Sequence, residues 1–493
     1  MKNAYSYLYT SSPTDIRRMQ EKKLRNYIRH QLYPFSPFYR KLFDERGIDP
    51  YSIKSYEDLQ KLPLTRKEDI VPTEEDPERY KKFILQPTEE EVRRSYPKGR
   101  LIGMALKSFF GSDVKGAIHE EYNPILLIAT SGTTGNNVPF FYTRYDIELF
   151  SASYRALAEM VGVRDSWRAL NLFPFAPHLA FYFTMLAHLT GKWFIYHTGG
   201  GGVTPTKKAL ETMGRLKPEV LIGIPSYVYH FVRTGAEMDV DFSHVKLILT
   251  AGEKFPLGSQ YRIAEMLQMG GATDVRMMDV YGTTEMRTAY PTCTPHSMEY
   301  HTFPDLHIVE LVDPETGEQV GEGERGALAV TNIDGRGTAV LRFLIGDIFE
   351  GGISFETCPS CGSSAPRLIG PIGRIKDYSG VLNLTNVKGT LINLNVFYDV
   401  MPSISGVEEW QVVITKRNND PYELDELVVR VALKRGTDPI KVEEMIKDEV
   451  ESRLEIVPRV EIWKKSSKLF AEMGGAIKAN RIIDIRDQFK PSL

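Results

Sequence analysis

Three groups of side chains stand at spacings that could do chemistry. The first is Ser131-Gly132-Thr133-Thr134-Gly135, placed directly after the apolar stretch "ILLIAT". Glycines let a backbone approach a ligand closely and turn its N–H groups outward, and hydroxyls add donors, so such a loop suits phosphate oxygens. It is not a Walker A loop, because the glycine spacing differs and no lysine follows. A plain Thr/Gly turn between strand and helix is the alternative for this loop taken alone. The second group is "DVYGTTE", which sets Tyr281, Gly282, Thr283, Thr284 and Glu285 at the end of another apolar run. An aromatic face there can stack on a purine, and a carboxylate beside a hydroxyl can hold Mg²⁺ next to phosphates. Further on, "LRFLIGD" ends in Asp347, able to take both hydroxyls of a ribose, "GRIKD" supplies Arg374, and "GGAIKANRIID" carries Lys478. Each piece is weak alone; their order and spacing are the signal.

The third group is soft. Cys358-Pro-Ser-Cys361, followed by Gly362, has the spacing of a metal half-site, and Cys293, His296 and His301 are further candidates. Three reduced cysteines without a metal are the alternative. Three is odd and few for the length, which argues against a disulfide framework.

These residues need rigid elements to hold them. From residue 125 onward, short apolar or β-branched runs ("ILLIAT", "EVLIGI", "VKLILTAG", "VRMMDVYG") alternate with helix-length segments, which predicts α/β structure with mainly parallel strands. "ILLIAT" is expected to be a buried strand delivering its loop to the carboxyl edge of a sheet, where open α/β sheets bind ligands. After Gly321 the strands shorten and crowd, predicting an antiparallel subdomain. Residues 15–35 are basic with helical pattern, and residues 70–121 are charged with little periodicity. A boundary is expected at Gly373-Arg374, giving a large domain over 1–373 and a small α+β domain over 374–493. In the latter, two strands flank a turn at Asn418–Pro421. A helix from Pro439 follows, capped by Asp438, with Ile440, Val442, Met445, Ile446, Val450 and Leu454 largely along one face.

The chain has 493 residues, 42% hydrophobic and 25% charged, which are ordinary globular values. A formal charge of −3 gives no reason to expect nucleic acid or an anionic membrane as partner. No apolar run approaches the ~20 residues needed to span a bilayer, and no signal-peptide core opens the sequence, so a cytoplasmic protein is expected.

Taken together, the motifs resemble the adenylate-forming superfamily of acyl-CoA synthetases, luciferases and adenylation domains, in particular its phenylacetate–CoA ligase branch. "SPFYRKLFDERGIDPYSIKSYEDLQKLPLTRKEDI" is similar to that branch's opening. "TSGTTG" resembles the phosphate loop, "TAGEKF" (Ala251, Gly252, Glu253) the adenine-binding turn, and "YGTTE" the aromatic and Mg²⁺ motif. "LRFLIGD" resembles the ribose motif, "GRIKD" the hinge, and "GGAIKANRIID" the catalytic lysine loop. The resemblance implies that a carboxylate attacks ATP to give an acyl adenylate, and that a thiol, usually of CoA, then expels AMP. Lys478 would bridge carboxylate and ATP, Glu285 would hold Mg²⁺ with Thr284 nearby, Asp347 and Arg374 would fix the ribose, and Tyr281 would stack on adenine. A mobile small domain would turn about Lys376. The acid pocket would draw on Phe175, His178, Tyr182 and the glycines around Gly200, which favours an aryl acid such as phenylacetate or a benzoate. Aromatics at such spacing are more often core, and a histidine such as His178 more often structural. By the same resemblance, Cys293, His301, Cys358 and Cys361 would form a structural Zn²⁺ site, and a homodimer is open. Departures are Asn136-Asn137 after the glycine loop, a long 374–389 segment, and Gly-Ala-Ile-Lys where relatives have Gly-Lys. An acceptor other than CoA, either a carrier-protein thiol or an amine, stays open, as does a non-catalytic nucleotide-binding protein.

Overall fold

The computed structural model describes residues 5–489, apart from 112, 131–137, 176–178, 192, 202, 254, 256, 376–383, 388–389, 395, 420–424, 455 and 475–479. By internal contacts the chain forms two units. The first holds Met1–Arg168, Phe175–Ile195 and Met278–Gly373, and the second Ala169–Pro174, Tyr196–Met277 and Arg374–Leu493. The expected α/β class, with parallel strands between helices and separate antiparallel sheets, is borne out. Among the described residues no helix is long and apolar enough to cross a membrane.

In the first unit, strands His307–Val312, Gly326–Asn332 and Phe343–Phe349 pair antiparallel, with Val309 opposite Val330 and Ala329 opposite Leu344. The first two are buried along their whole length, which is why they read as continuous apolar runs. Glu310, the acid in that run, is paired with Arg342 at 3.1 Å, and Arg342 also donates to the carbonyls of Gln60 and Gly317. Burial raises the Glu310 pKa, against the pull of that guanidinium.

The stretch "ILLIAT" differs from expectation. Strand Pro124–Ala129 pairs antiparallel with Pro139–Thr143 in a two-stranded ribbon, and Ile125 and Leu127 are 57% and 45% exposed. A short apolar run does not say by itself which faces are covered. Residues 70–121 also hold more structure than their pattern suggests: helices span Glu89–Ser95, Lys98–Phe109 and Val114–Tyr122. The first begins with a Thr88/Glu91 capping box and the third with Asp113 bonded to the Gly116 N–H.

In the second unit, Arg168–Asn171, Val220–Gly223 and Leu247–Ala251 run parallel, in register Leu170–Leu221–Ile248. Helices Thr206–Leu216 and Pro225–Glu237 pack their apolar faces on these strands through Leu210, Met213, Val228 and Phe231. The C-terminal stretch has a core of its own. Strands Val407–Lys416 and Asp425–Leu433 pair antiparallel, flanked by parallel Ile482–Asp484 and Arg459–Trp463. Helix Pro439–Leu454 covers them with Val442, Ile446, Val450 and Leu454, and Asp438 accepts from the Ile440 N–H at 3.0 Å. Ile440 and Met445, expected on that face, are 70% and 41% exposed. One residue of helix Leu257–Met269 grips this stretch: Arg262 donates to the carbonyls of Pro402 (3.3 Å), Ile404 (3.1 Å) and Val407.

Candidate active site

Strand Arg276–Thr283 returns as strand Thr288–Pro291, with Tyr281 opposite Tyr290, Gly282 opposite Ala289 and Thr283 opposite Thr288. Thr284, Glu285, Met286 and Arg287 make the hairpin loop. Gly282 is required by this pairing, because a β-carbon there would press on Ala289 and the Thr288 carbonyl at 2.8 and 3.1 Å. Buried Met286 anchors the loop and leaves Glu285 half-buried at its bend. Arg287 closes it with φ +58°, a left-handed conformation that costs a non-glycine residue about 1 kcal/mol or more.

Two of the expected nucleotide residues meet directly. The Tyr281 hydroxyl donates to the Asp347 carboxylate at 2.7 Å, and both side chains are buried. Tyr281 also sits edge-on to Phe349 at 5.1 Å. The bond fixes how the carboxylate faces, which is what two-point binding of a diol needs. Beside it, the buried Thr283 Oγ1 finds no hydrogen-bond partner among the described residues. Leaving a buried hydroxyl unpaired costs ~1–3 kcal/mol, so a polar group reaching Thr283 would recover that cost. The Glu285 carboxylate on the same turn suits a hard cation such as Mg²⁺. Tyr142 donates to the Thr284 carbonyl at 2.8 Å, tying this turn to the strand that leaves the 131–137 loop.

Ser131, Gly132, Thr133, Thr134, Gly135, His178, Lys376 and Lys478 lie outside the described residues. The base of the first loop is described: Thr130 and Val138 exchange bonds, N–H to carbonyl and N–H to hydroxyl, both at 3.0 Å. Ala251 ends a parallel strand, Gly252 follows with φ +89°, and the Glu253 carboxylate accepts from the Ser226 N–H at 3.3 Å. Arg374 is exposed at the end of strand Ile372–Arg374. Phe175 is 62% exposed and edge-on to buried Phe181 at 5.1 Å, with half-buried Tyr182 at 6.4 Å. Gly200 has φ +78°, and a β-carbon there would meet the Pro174 Cα at 2.7 Å, so this glycine serves close backbone approach.

The soft ligands converge as well. Donor atoms of Cys293, His301, Cys358 and Cys361 all lie within 4.8 Å of one another. His301 ends a short strand, Glu299–His301, paired to Arg367–Ile369, and Cys358 and Cys361 belong to the loop that precedes that partner strand. Thiolates held tetrahedrally about 2.3 Å from zinc stand about 3.8 Å apart. Cys293 and Cys358 Sγ are 3.8 Å apart, as are Cys361 Sγ and His301 Nε2. The donor set therefore fits a closed metal centre. Hydrogen bonds from Cys293 and His301 hold the Cys361 thiol down to about 3, while the same contact to Cys361, then burial, pushes the Cys293 thiol up. His296 is not among the four.

Sequence reasoning passed over Asp146, Tyr142 and Arg287, whose partners are far away in the chain. The Thr143-x-x-Asp146 pattern was a readable signal only for a helix start.

A family model for AMP-binding enzymes matches residues 56–336, more than half of the sequence. The chain belongs to the AMP-binding enzyme family. The resemblance to adenylate-forming enzymes therefore holds, and the relatives the chain is similar to are phenylacetate–CoA ligases. The phenylacetate–coenzyme A ligase of Thermus thermophilus is 25% identical over 442 residues, 88% of this chain and 85% of that one. That of Pseudomonas putida is 24% identical over 438 residues, 86% and 83% of the two chains. Among solved structures, a 2-hydroxyisobutyryl-CoA ligase in the postadenylation state matches with TM-score 0.73 at 19% identity, over 98% of this chain and 92% of that one. It shares the fold.

Proposed function

We propose that this family member is an ATP-dependent carboxylic acid–CoA ligase that works through an acyl adenylate, its acid aryl, such as phenylacetate or a benzoate. The observation that carries the reading is the buried Tyr281–Asp347 bond, with a Thr283 hydroxyl two residues on that has no hydrogen-bond partner among the described residues. It is a prepared polar corner in the family's nucleotide motifs. The phenylacetate–CoA ligases that match most of the chain supply the acid and the acceptor thiol.

In this reading the substrate carboxylate attacks the α-phosphorus of ATP and pyrophosphate leaves. Ser131–Gly135 hold the β- and γ-phosphates, and Lys478 spans carboxylate and phosphate oxygens, stabilising charge as it builds. Mg²⁺ held by Glu285 beside Thr284 would neutralise phosphate charge. Asp347, oriented by Tyr281, and Arg374 take the ribose, and Tyr281 with Ala251–Glu253 frames the adenine. The CoA thiol then attacks the acyl carbon and AMP leaves. Residues 374–493 act as a small domain turning about Lys376, and the separate core around Phe397, Trp410, Val429 and Ile446 supports treating them as a folding unit. Phe175, His178, Tyr182 and Gly200 would line the acid pocket, the exposed Phe175 ring favouring a flat apolar acid. Cys293, His301, Cys358 and Cys361 hold a structural zinc, and the chain works in the cytoplasm.

The test is acid-dependent exchange of labelled pyrophosphate into ATP across aryl, hydroxyaryl and medium-chain acids, followed by CoA addition. Strongest exchange with aryl acids, then AMP and thioester on adding CoA, is expected. No exchange with any acid overturns the reading, and exchange without thioester overturns the acceptor.

A further inference from the structure

One carboxylate in the first unit collects an unusual number of donors. Asp146 is 2% exposed. Its Oδ2 accepts from the Thr143 N–H (2.8 Å), the Thr143 hydroxyl (3.0 Å) and the Gly337 N–H (2.7 Å). Its Oδ1 accepts from the Arg336 N–H (2.8 Å) and from Arg287 Nη1 (2.7 Å). A helix-capping aspartate needs only the Thr143 reciprocity to start helix Arg144–Met160. The remaining bonds reach two other segments, 335–337 and the loop that carries Glu285.

The same segments are fitted to each other tightly. A side chain at Gly337 would strike the Phe141 carbonyl, and one at Gly335 would strike the Arg287 guanidinium. Thr338 exchanges two bonds with Phe141, each 2.9 Å. Phe141 belongs to strand Pro139–Thr143, which leaves the 131–137 loop. Arg287 is two residues beyond Glu285, buried, and held in a left-handed backbone conformation that glycine or asparagine would adopt more readily. A buried arginine at such a position needs a reason, and its ion pair to Asp146 supplies one.

We infer that the buried Asp146–Arg287 pair is a positioning device, setting the turn that presents Glu285 at a fixed distance from the strand that leaves the phosphate loop. Neither residue touches the nucleotide. The pair acts through the loop backbone, and Tyr142, bonded to the Thr284 carbonyl, is its second strut. The inference rests on the proposed ligase reading, in which Glu285 holds the divalent ion. It adds that the ion's place relative to the phosphates is set by a charge pair 141 residues apart in sequence.

Arg287→Gln tests it, since Asp146 keeps four other donors and the helix its cap. Mn²⁺–ATP binding is followed by electron paramagnetic resonance, and the Mg²⁺ dependence of pyrophosphate exchange is measured alongside. The variant should melt cooperatively, bind Mn²⁺–ATP about tenfold more weakly and need correspondingly more Mg²⁺. The KM for the acid should stay as in the parent, and Arg287→Lys should recover most of the metal affinity. If the glutamine variant does not fold, Arg287→Gly, which accepts the backbone conformation without strain, carries the same expectation. Unchanged Mn²⁺–ATP affinity in a folded variant overturns the inference while leaving the ligase reading intact. So does a uniform fall in every parameter that lysine does not rescue. A parent protein that neither binds Mn²⁺–ATP nor exchanges pyrophosphate takes down both.

Discussion

The cysteine–histidine cluster and the Tyr281–Asp347 corner lie in the same unit and are both polar and largely buried, yet they are finished differently. In the cluster one donor atom from each of the four residues lies within 4.8 Å of the others and the set fits a single ion, while the second ring nitrogen of His301, Nδ1, has no hydrogen-bond partner among the described residues. In the corner, a hydrogen bond orients one carboxylate while the neighbouring Thr283 hydroxyl is left without a partner among the described residues. Donors that converge on one ion pin a fold, and a carboxylate oriented within nucleotide motifs suits a ligand. The cluster should therefore govern stability and the corner should govern nucleotide affinity.

The sharpest way to break that division is at the reactive end. Lys478→Ala should lower pyrophosphate exchange about a thousandfold or more while sparing thiolysis of a supplied acyl adenylate. Equal loss in both half-reactions would mean that the lysine serves the fold. Next is Asp347→Asn, expected to raise the KM for ATP about 10- to 100-fold through loss of charge-assisted bonds, with Tyr281→Phe costing about fivefold. Both should melt close to the parent, and a large drop in melting temperature would erase the distinction between corner and cluster. In the other direction, Cys361→Ser should drop bound zinc from about one per chain to under half by elemental analysis. It should lower the melting temperature by about 5 °C or more with the KM for ATP unchanged.

A further effect, on pH dependence, concerns His307, buried against the Tyr290 hydroxyl at 3.0 Å. Burial, then the Arg287 charge, lowers its pKa from 6.5 to about 3. The unfolded chain takes up that proton below about pH 6.5 and the folded one does not, so stability is full above that value and falls as pH drops. The expected slope from this group is about 1.4 kcal/mol per unit between roughly pH 6 and 4. Urea midpoints of the parent and His307→Gln across that range measure it, and equal slopes would contradict it.

Much of this was legible from residue order. The resemblance to the ligase relatives singled out Cys293, His301, Cys358 and Cys361 over His296, and the structure groups those four. The helix after Asp438 starts and ends as its cap and period require. The faces of short segments were less legible. Ile125 and Leu127 look like core but lie on an exposed ribbon, and Ile440 and Met445 sit at the edge of a helical stripe where a 100° step leaves them uncovered. The Asp146–Arg287 pair could not be read at all, because no local rule relates residues so distant, and the orphan state of Thr283 exists only once neighbours are placed. The helices between 89 and 122 went unseen because they bury little: Lys98–Phe109 has no buried residue, so its apolar period has no partner to reveal it.

The grip of Arg262 has a kinetic side. Its guanidinium serves three carbonyl oxygens, at Pro402, Ile404 and Val407. Pulling that stretch away would bare a cation and three acceptors at once, before water could refill the gap. In the proposed turning of residues 374–493 such a joint would act as a detent, resisting small displacements and releasing in a single step, so this side chain would set how often the stretch lets go and leave untouched what happens afterwards.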